Sequence, residues 1–189
     1  LLLGAGALEL VPEGIATVHG SRLCIPLFFL GGLVIFLIER ALGLRRRETP
    51  QLMGMLLDFI PEAMALGGLL AVGSPKAPLL AVLIGLQNLP EGFNAYRELL
   101  SLNSIDRRKT LLFMCLLVLL GPAAGVAGYL CLGKHPEVLG GIMLFASGGI
   151  LYLLFQDIAP QSRLERHWAP PLGAVIGFGI ALAGHMLLG

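Results

Sequence analysis

Apolar residues run through this chain in long unbroken blocks rather than in strict alternation. Seven stretches, roughly 1–18, 24–40, 51–72, 78–100, 110–132, 137–160 and 168–188, are long and apolar enough to span or nearly span a bilayer, which takes about 20 helical residues. The first two are short, and the first reads as having lost residues at its start. The breaks carry glycine, proline or charge: Gly20-Ser21-Arg22, Arg45-Arg46-Arg47, Gly73-Ser74-Pro75-Lys76, Asp106-Arg107-Arg108-Lys109, Gly133-Lys134-His135-Pro136 and Arg163-Leu164-Glu165-Arg166. With so little chain between the blocks, the pattern predicts an all-α polytopic membrane protein, one transmembrane domain over 1–189.

Two polar runs interrupt the middle blocks: Asp58-Phe59-Ile60-Pro61-Glu62 and Gln87-Asn88-Leu89-Pro90-Glu91. On a helix, positions i and i+4 share a face, so Asp58 lies over Glu62 and Gln87 over Glu91. A charged carboxylate at the centre of a bilayer costs roughly 2.5–3.5 kcal/mol on insertion scales, so three at one depth cost on the order of 8–10 kcal/mol unless cations or protons compensate. Pro61 and Pro90 also deprive the carbonyls of Leu57 and Leu86 of their helical donors, and in lipid a freed carbonyl needs water, a side chain or a cation. The pairing points to a cation between the two helices. A plain proline kink, with glutamates bonded to neighbouring helices, is the structural alternative.

Composition agrees with the membrane reading. The chain is 56% hydrophobic and only 13% charged, with a mean hydropathy of +0.85, whereas soluble domains run nearer 25% charged. A net charge of +1 leaves no footprint for nucleic acid. The distribution of basic residues says more than their sum. The second, fourth and sixth connections with their flanks hold Arg40, Arg45, Arg46, Arg47, Arg97, Arg107, Arg108, Lys109, Arg163 and Arg166, and the alternate ones only Arg22, Lys76 and Lys134. Ten against three puts the even connections in the cytoplasm and the C-terminus outside. Cys24, Cys115 and Cys131 lack CxxC spacing and read as small core residues.

The proline runs also repeat. Glu9-Leu10-Val11-Pro12-Glu13 shares their pattern, and Asp157-Ile158-Ala159-Pro160-Gln161 is a weaker fourth copy. The two central copies lie on oppositely directed spans, as do the two outer ones, which is the inverted-repeat arrangement of transporters with ligands at the midplane.

With DFIPEA over 58–63 and QNLPEG over 87–92, the chain resembles the ZIP (zinc–iron permease) family of divalent metal transporters. The family's fourth helix typically carries HNxPEG and its fifth HExPEG or a near variant. The resemblance extends to an LxxxPE end on the family's second helix and a basic cytoplasmic connection after the third. It implies eight helices, one preceding this chain, in an inverted-repeat bundle of the ZIP type. By position it implies Asp58 and Glu62 as metal ligands from one helix and Gln87, Asn88 and Glu91 from the next. The implied substrate is a divalent metal (zinc, iron, manganese or cadmium), moved toward the cytoplasm by elevator-type alternating access. The other implied partners are the bilayer, as a cell inner-membrane protein, and optionally a second copy in a homodimer. Asp58 stands in place of the usual histidine, Phe59 in place of asparagine, and Gly121-Pro122 where some relatives have Glu-Pro. Losing the donors at 59 and 121 implies a single metal rather than two.

Glu9, Glu13 and Asp157 are candidates for the two ends of a pathway, or else residues solvated at helix ends. His185, deep in the last span, reads as a ligand, a proton carrier or a hydrogen-bonded packing histidine. Gly121, Gly125 and Gly128, and Gly173, Gly177, Gly179 and Gly184, form small-residue faces suited to close helix packing. An intramembrane aspartyl protease is disfavoured, since neither Asp58 nor Asp157 has GxGD context, and no GxSG nucleophile occurs. The remaining alternative to a carrier is a metal-binding sensor or a transport-inactive relative.

Overall fold

The computed structural model describes residues 1–42, 50–101, 106–161 and 169–188, and all regular structure among them is helical. There are seven rods in chain order: α1 over 2–17, α2 Cys24–Leu42, α3 Pro50–Ala71, α4 Ala77–Ser101, α5 Arg107–Leu132, α6 over 136–161 and α7 Ala169–Leu188. They follow the seven apolar blocks closely. Five of them, α2, α3, α5, α6 and α7, are long and apolar enough to cross a membrane. The expected count of seven is therefore met only in part. α1 is short and broken, while α4 has the length, at 25 residues, but carries Gln87, Asn88, Glu91 and Asn94 in its middle.

The prolines shape the rods in two ways. Pro61 and Pro90 sit inside continuous α-helix. Pro12 and Pro160 instead follow wide π-helical turns at Ala5–Leu10 and Leu154–Ile158. The two outer copies of the repeat thus share a local deformation that the two central copies lack, on helices where Glu9 and Asp157 fall inside the widened turn. Pro122 breaks α5 at Leu119, because the carbonyl of Val118 loses its i+4 donor. α1 and α3 both end on a left-handed residue, His19 (φ 53°) and Gly73 (φ 68°). In each, a six-residue bond closes the last turn, from Gly20 N–H to Ile15 O and from Ser74 N–H to Leu69 O.

Glycines set the tightest helix contacts. A Cβ on Gly67 of α3 would enter the carbonyl of Gly125 on α5, and one on Gly128 would enter the backbone of Met64. α2 and α6 close in the same way, with Gly31 against the backbone of Phe145 and Gly148 against that of Phe28. α6 is the centre of the bundle, packing on α1, α2 and α3 and burying Leu139, Met143 and Ile150 in a core shared with Leu10, Leu80 and Leu83. α3 and α4 form a hairpin pinned at one end by Glu98, whose carboxylate accepts the N–H groups of Gln51 (3.1 Å) and Leu52 (3.0 Å). That carboxylate satisfies donors that a helix start otherwise leaves open. Across α2 and α6, Tyr152 donates to Glu39 Oε2 at 2.7 Å.

The outer surface is apolar, with Phe29, Leu33, Leu112, Leu130, Val175 and Met186 all exposed, while carboxylates lie inside. This inverts the plan of a soluble domain and defines a helical membrane protein. Of the three cysteines expected in the core, only Cys24 is buried; Cys115 and Cys131 lie on the outward faces of α5, and all three are free thiols. Arg45–Arg47, Arg163 and Arg166, which carry much of the charge asymmetry, lie outside the described residues.

Candidate functional site

The two central motifs meet where α3 packs against α4. Glu62 is 0% exposed, Gln87 4% and Asp58 5%, and Glu91 is half-buried. Gln87 Nε2 donates a 2.6 Å hydrogen bond to Glu62 Oε2, bridging the helices. Asp58 lies within electrostatic reach of both Glu62 and Glu91. Four of the five expected ligands therefore gather at one place. Asn88 is different: its Nδ2 donates back to Ile84 O on its own helix at 2.7 Å, because the next position on a helix points about 100° away from Gln87.

Most telling is the hydrogen-bond inventory. Among the described residues, the buried polar side chains are Glu9, Asp58, Glu62, Gln87, Thr110 and Ser147. The two hydroxyls settle their needs locally, Thr110 on Asp106 O and Ser147 on Met143 O. Each of the other four leaves an oxygen without a donor: Glu9 Oε2, Asp58 Oδ1, Glu62 Oε1 and Gln87 Oε1; Glu91 Oε2 is a fifth. An unsatisfied buried polar group costs about 1–3 kcal/mol, more when charged. All five are acceptors, and four of them belong to the cluster between α3 and α4, so what that cluster lacks is positive charge or hydrogen.

The donors are hard oxygens only, carboxylate and amide, without imidazole or thiolate. Among the described residues no three His, Cys, Asp or Glu side chains are placed closely enough to hold a metal ion as they stand. The Gln87 amide group stands between the helices, with its N–H on Glu62.

The residues assigned to the ends of a pathway fall into two pairs. Glu9, 3% exposed, accepts or shares a proton with His185 Nδ1 at 2.8 Å. One turn on, Glu13 pairs with Lys76 at 3.0 Å, bringing the end of α1 to the start of α4. Spacing alone gave no sign of the Glu9–His185 pair, whose members are 176 positions apart. The backbone of Asp157 lies in the second π turn, and its side chain is outside the described residues.

Phe59 and Gly121, the two departures from the motif pattern, turn out to be neighbours. A Cβ on Gly121 would run into the tip of the Phe59 ring. The ring fills the space above the glycine, which makes this an apolar contact between α3 and α5.

Together the fold and the cluster define a helical membrane protein with a buried, oxygen-lined polar centre. No family model, no curated protein and no solved structure matches the chain.

Proposed function

We propose that the chain is a divalent-cation carrier of the ZIP type, with the cation as its substrate held by Asp58, Glu62, Gln87 and Glu91 between α3 and α4. The observation that carries this reading is the set of buried oxygens on those four side chains that lack any donor. A divalent cation, once the side chains turn toward it, would supply the positive charge these oxygens lack and offset the carboxylate charge that makes the cluster costly in lipid. The Phe59–Gly121 contact supports one cation rather than two. Movement toward the cytoplasm, with the basic connections on the cytoplasmic side and the C-terminus outside, follows from the charge asymmetry and the family resemblance. Glu9–His185 and Glu13–Lys76 then lie between the outer surface and the cluster. Cation-dependent uptake into vesicles reconstituted with the purified chain tests the proposal. Saturable binding without uptake would instead support a sensor or inactive relative.

Two outcomes follow from the donor set. Metal and protons compete for the same carboxylate oxygens, and ligands bind metal in their deprotonated form. Apparent affinity for the cation will therefore weaken as pH falls from about 7.5 to about 5.5, since each proton bound at low pH must leave before metal enters. Binding isotherms at the two pH values check it, and affinity flat across the range would show that the site empties without taking up protons.

The second outcome concerns selectivity. An all-oxygen set suits manganese and iron(II), whereas zinc and cadmium gain most from nitrogen and sulfur. Asp58→His, which introduces an imidazole, will shift zinc-over-manganese preference toward zinc by roughly tenfold, about 1.4 kcal/mol. Competition of the two ions in the wild type and the variant measures this. An unmoved ratio would remove Asp58 from the ligand set.

A further inference from the structure

The hydrogen bond between Gln87 and Glu62 has a direction, and that direction depends on what occupies the site. Gln87 presents its Nε2 to Glu62 Oε2 at 2.6 Å and leaves its own Oε1 buried without a donor. Turned end for end, the amide would set its oxygen against a carboxylate oxygen at the same distance. Two acceptors at that separation repel unless a cation or a proton lies between them. Conversely, a cation bound to Glu62 and its neighbours would face the amide's hydrogens, which carry positive partial charge, unless the amide turned.

We propose that Gln87 is a reversible stand-in for the transported cation, its N–H end holding Glu62 in the empty site and its carbonyl oxygen joining the ligands when a divalent cation enters. The inference rests on the carrier reading above and adds a role that a simple ligand would not have. It also accounts for the open arrangement of the cluster. Glu62 is fully buried and its second oxygen, Oε1, has no partner, so the amide N–H is what binds it across to α4 when no metal is present. A carrier has to return empty, and the amide lets α3 and α4 stay together through that half of the cycle. A carboxylate at position 87 would bind a cation well but would offer Glu62 no donor.

Two measurements on the full chain in lipid nanodiscs test this. In metal-free protein, Gln87→Leu will lower the melting temperature by roughly 3–10 °C, the size expected for a hydrogen bond to a charged group in a chain of this length. Adding Glu62→Gln to that variant will recover most of the loss, because the charge left without a partner is gone. Gln87→Asn, whose amide is one carbon short of Glu62, will show the same loss and rescue. If Gln87→Leu and Gln87→Asn leave metal-free stability unchanged, or Glu62→Gln fails to rescue it, the stand-in role is refuted. The second measurement is the infrared difference spectrum on adding manganese(II). The wild type will show a side-chain amide carbonyl band moving to lower wavenumber along with the carboxylate bands, and Gln87→Leu will lack the amide component. Carboxylate bands that shift without the amide band would overturn the inference and leave the carrier reading standing. No manganese-induced change at any band or in melting temperature would overturn both.

Discussion

Replacing either Glu62 or Glu91 with alanine will abolish cation uptake while the protein still folds into the membrane. Each supplies a carboxylate to a cluster of four side chains in which Asp58 is the third acid. Losing one anionic ligand from so small a set removes charge compensation and a coordination position together. We expect apparent affinity to fall at least about a hundredfold, roughly 2.7 kcal/mol. Glu91→Ala should move stability little, because removing an incompletely partnered charge relieves a cost, whereas Glu62→Ala also leaves the Gln87 amide without its acceptor and should melt several degrees lower. The pattern to look for is folded protein in the membrane with absent uptake in reconstituted vesicles. Undiminished transport by the double variant would end the case for this site.

A comparably large effect, on folding rather than function, is expected at Gly67. Its Cα faces the carbonyl of Gly125 so closely that a methyl group would occupy the carbonyl's place. Backbone cannot swing aside as a side chain can, so α3 and α5 would have to separate along their whole contact. Gly67→Ala should cost about 3 kcal/mol, the upper end of the usual range for overpacking. Gly85 on α4 is the control, since nothing lies within 4 Å of a Cβ built there. Gly85→Ala should be neutral or slightly stabilising through helix propensity. Melting curves of the two variants separate a packing role from a general intolerance of side chains.

The helices and the central cluster were readable in the sequence because both rest on strong local terms. Long apolar blocks dictate helices in lipid, and carboxylates inside them demand a partner. The i, i+4 spacing placed Asp58 over Glu62, and matched proline motifs placed Gln87 and Glu91 opposite them. What the sequence left open depends on contacts between distant segments. Gly121, Gly125 and Gly128 were recognisable as a small-residue face, but not that α3 is the helix against it. His185 carried no hint of Glu9 as its partner. Asn88 looked equivalent to Gln87 by motif, yet a single residue of helical rotation directs its amide to Ile84. The π turns before Pro12 and Pro160 were also hidden, since the same proline-bearing pattern gives unbroken helix at Pro61 and Pro90.

The most direct measurement is the position of the cation itself. Crystals or lipid-embedded particles of the chain saturated with manganese(II) should be examined for element-specific scattering at the manganese edge. We expect a single peak within bonding distance of Asp58, Glu62 and Glu91, with the carbonyl oxygen of Gln87 turned toward it. No peak between α3 and α4 under saturating manganese, or a peak confined to Glu9 and His185, would contradict the account.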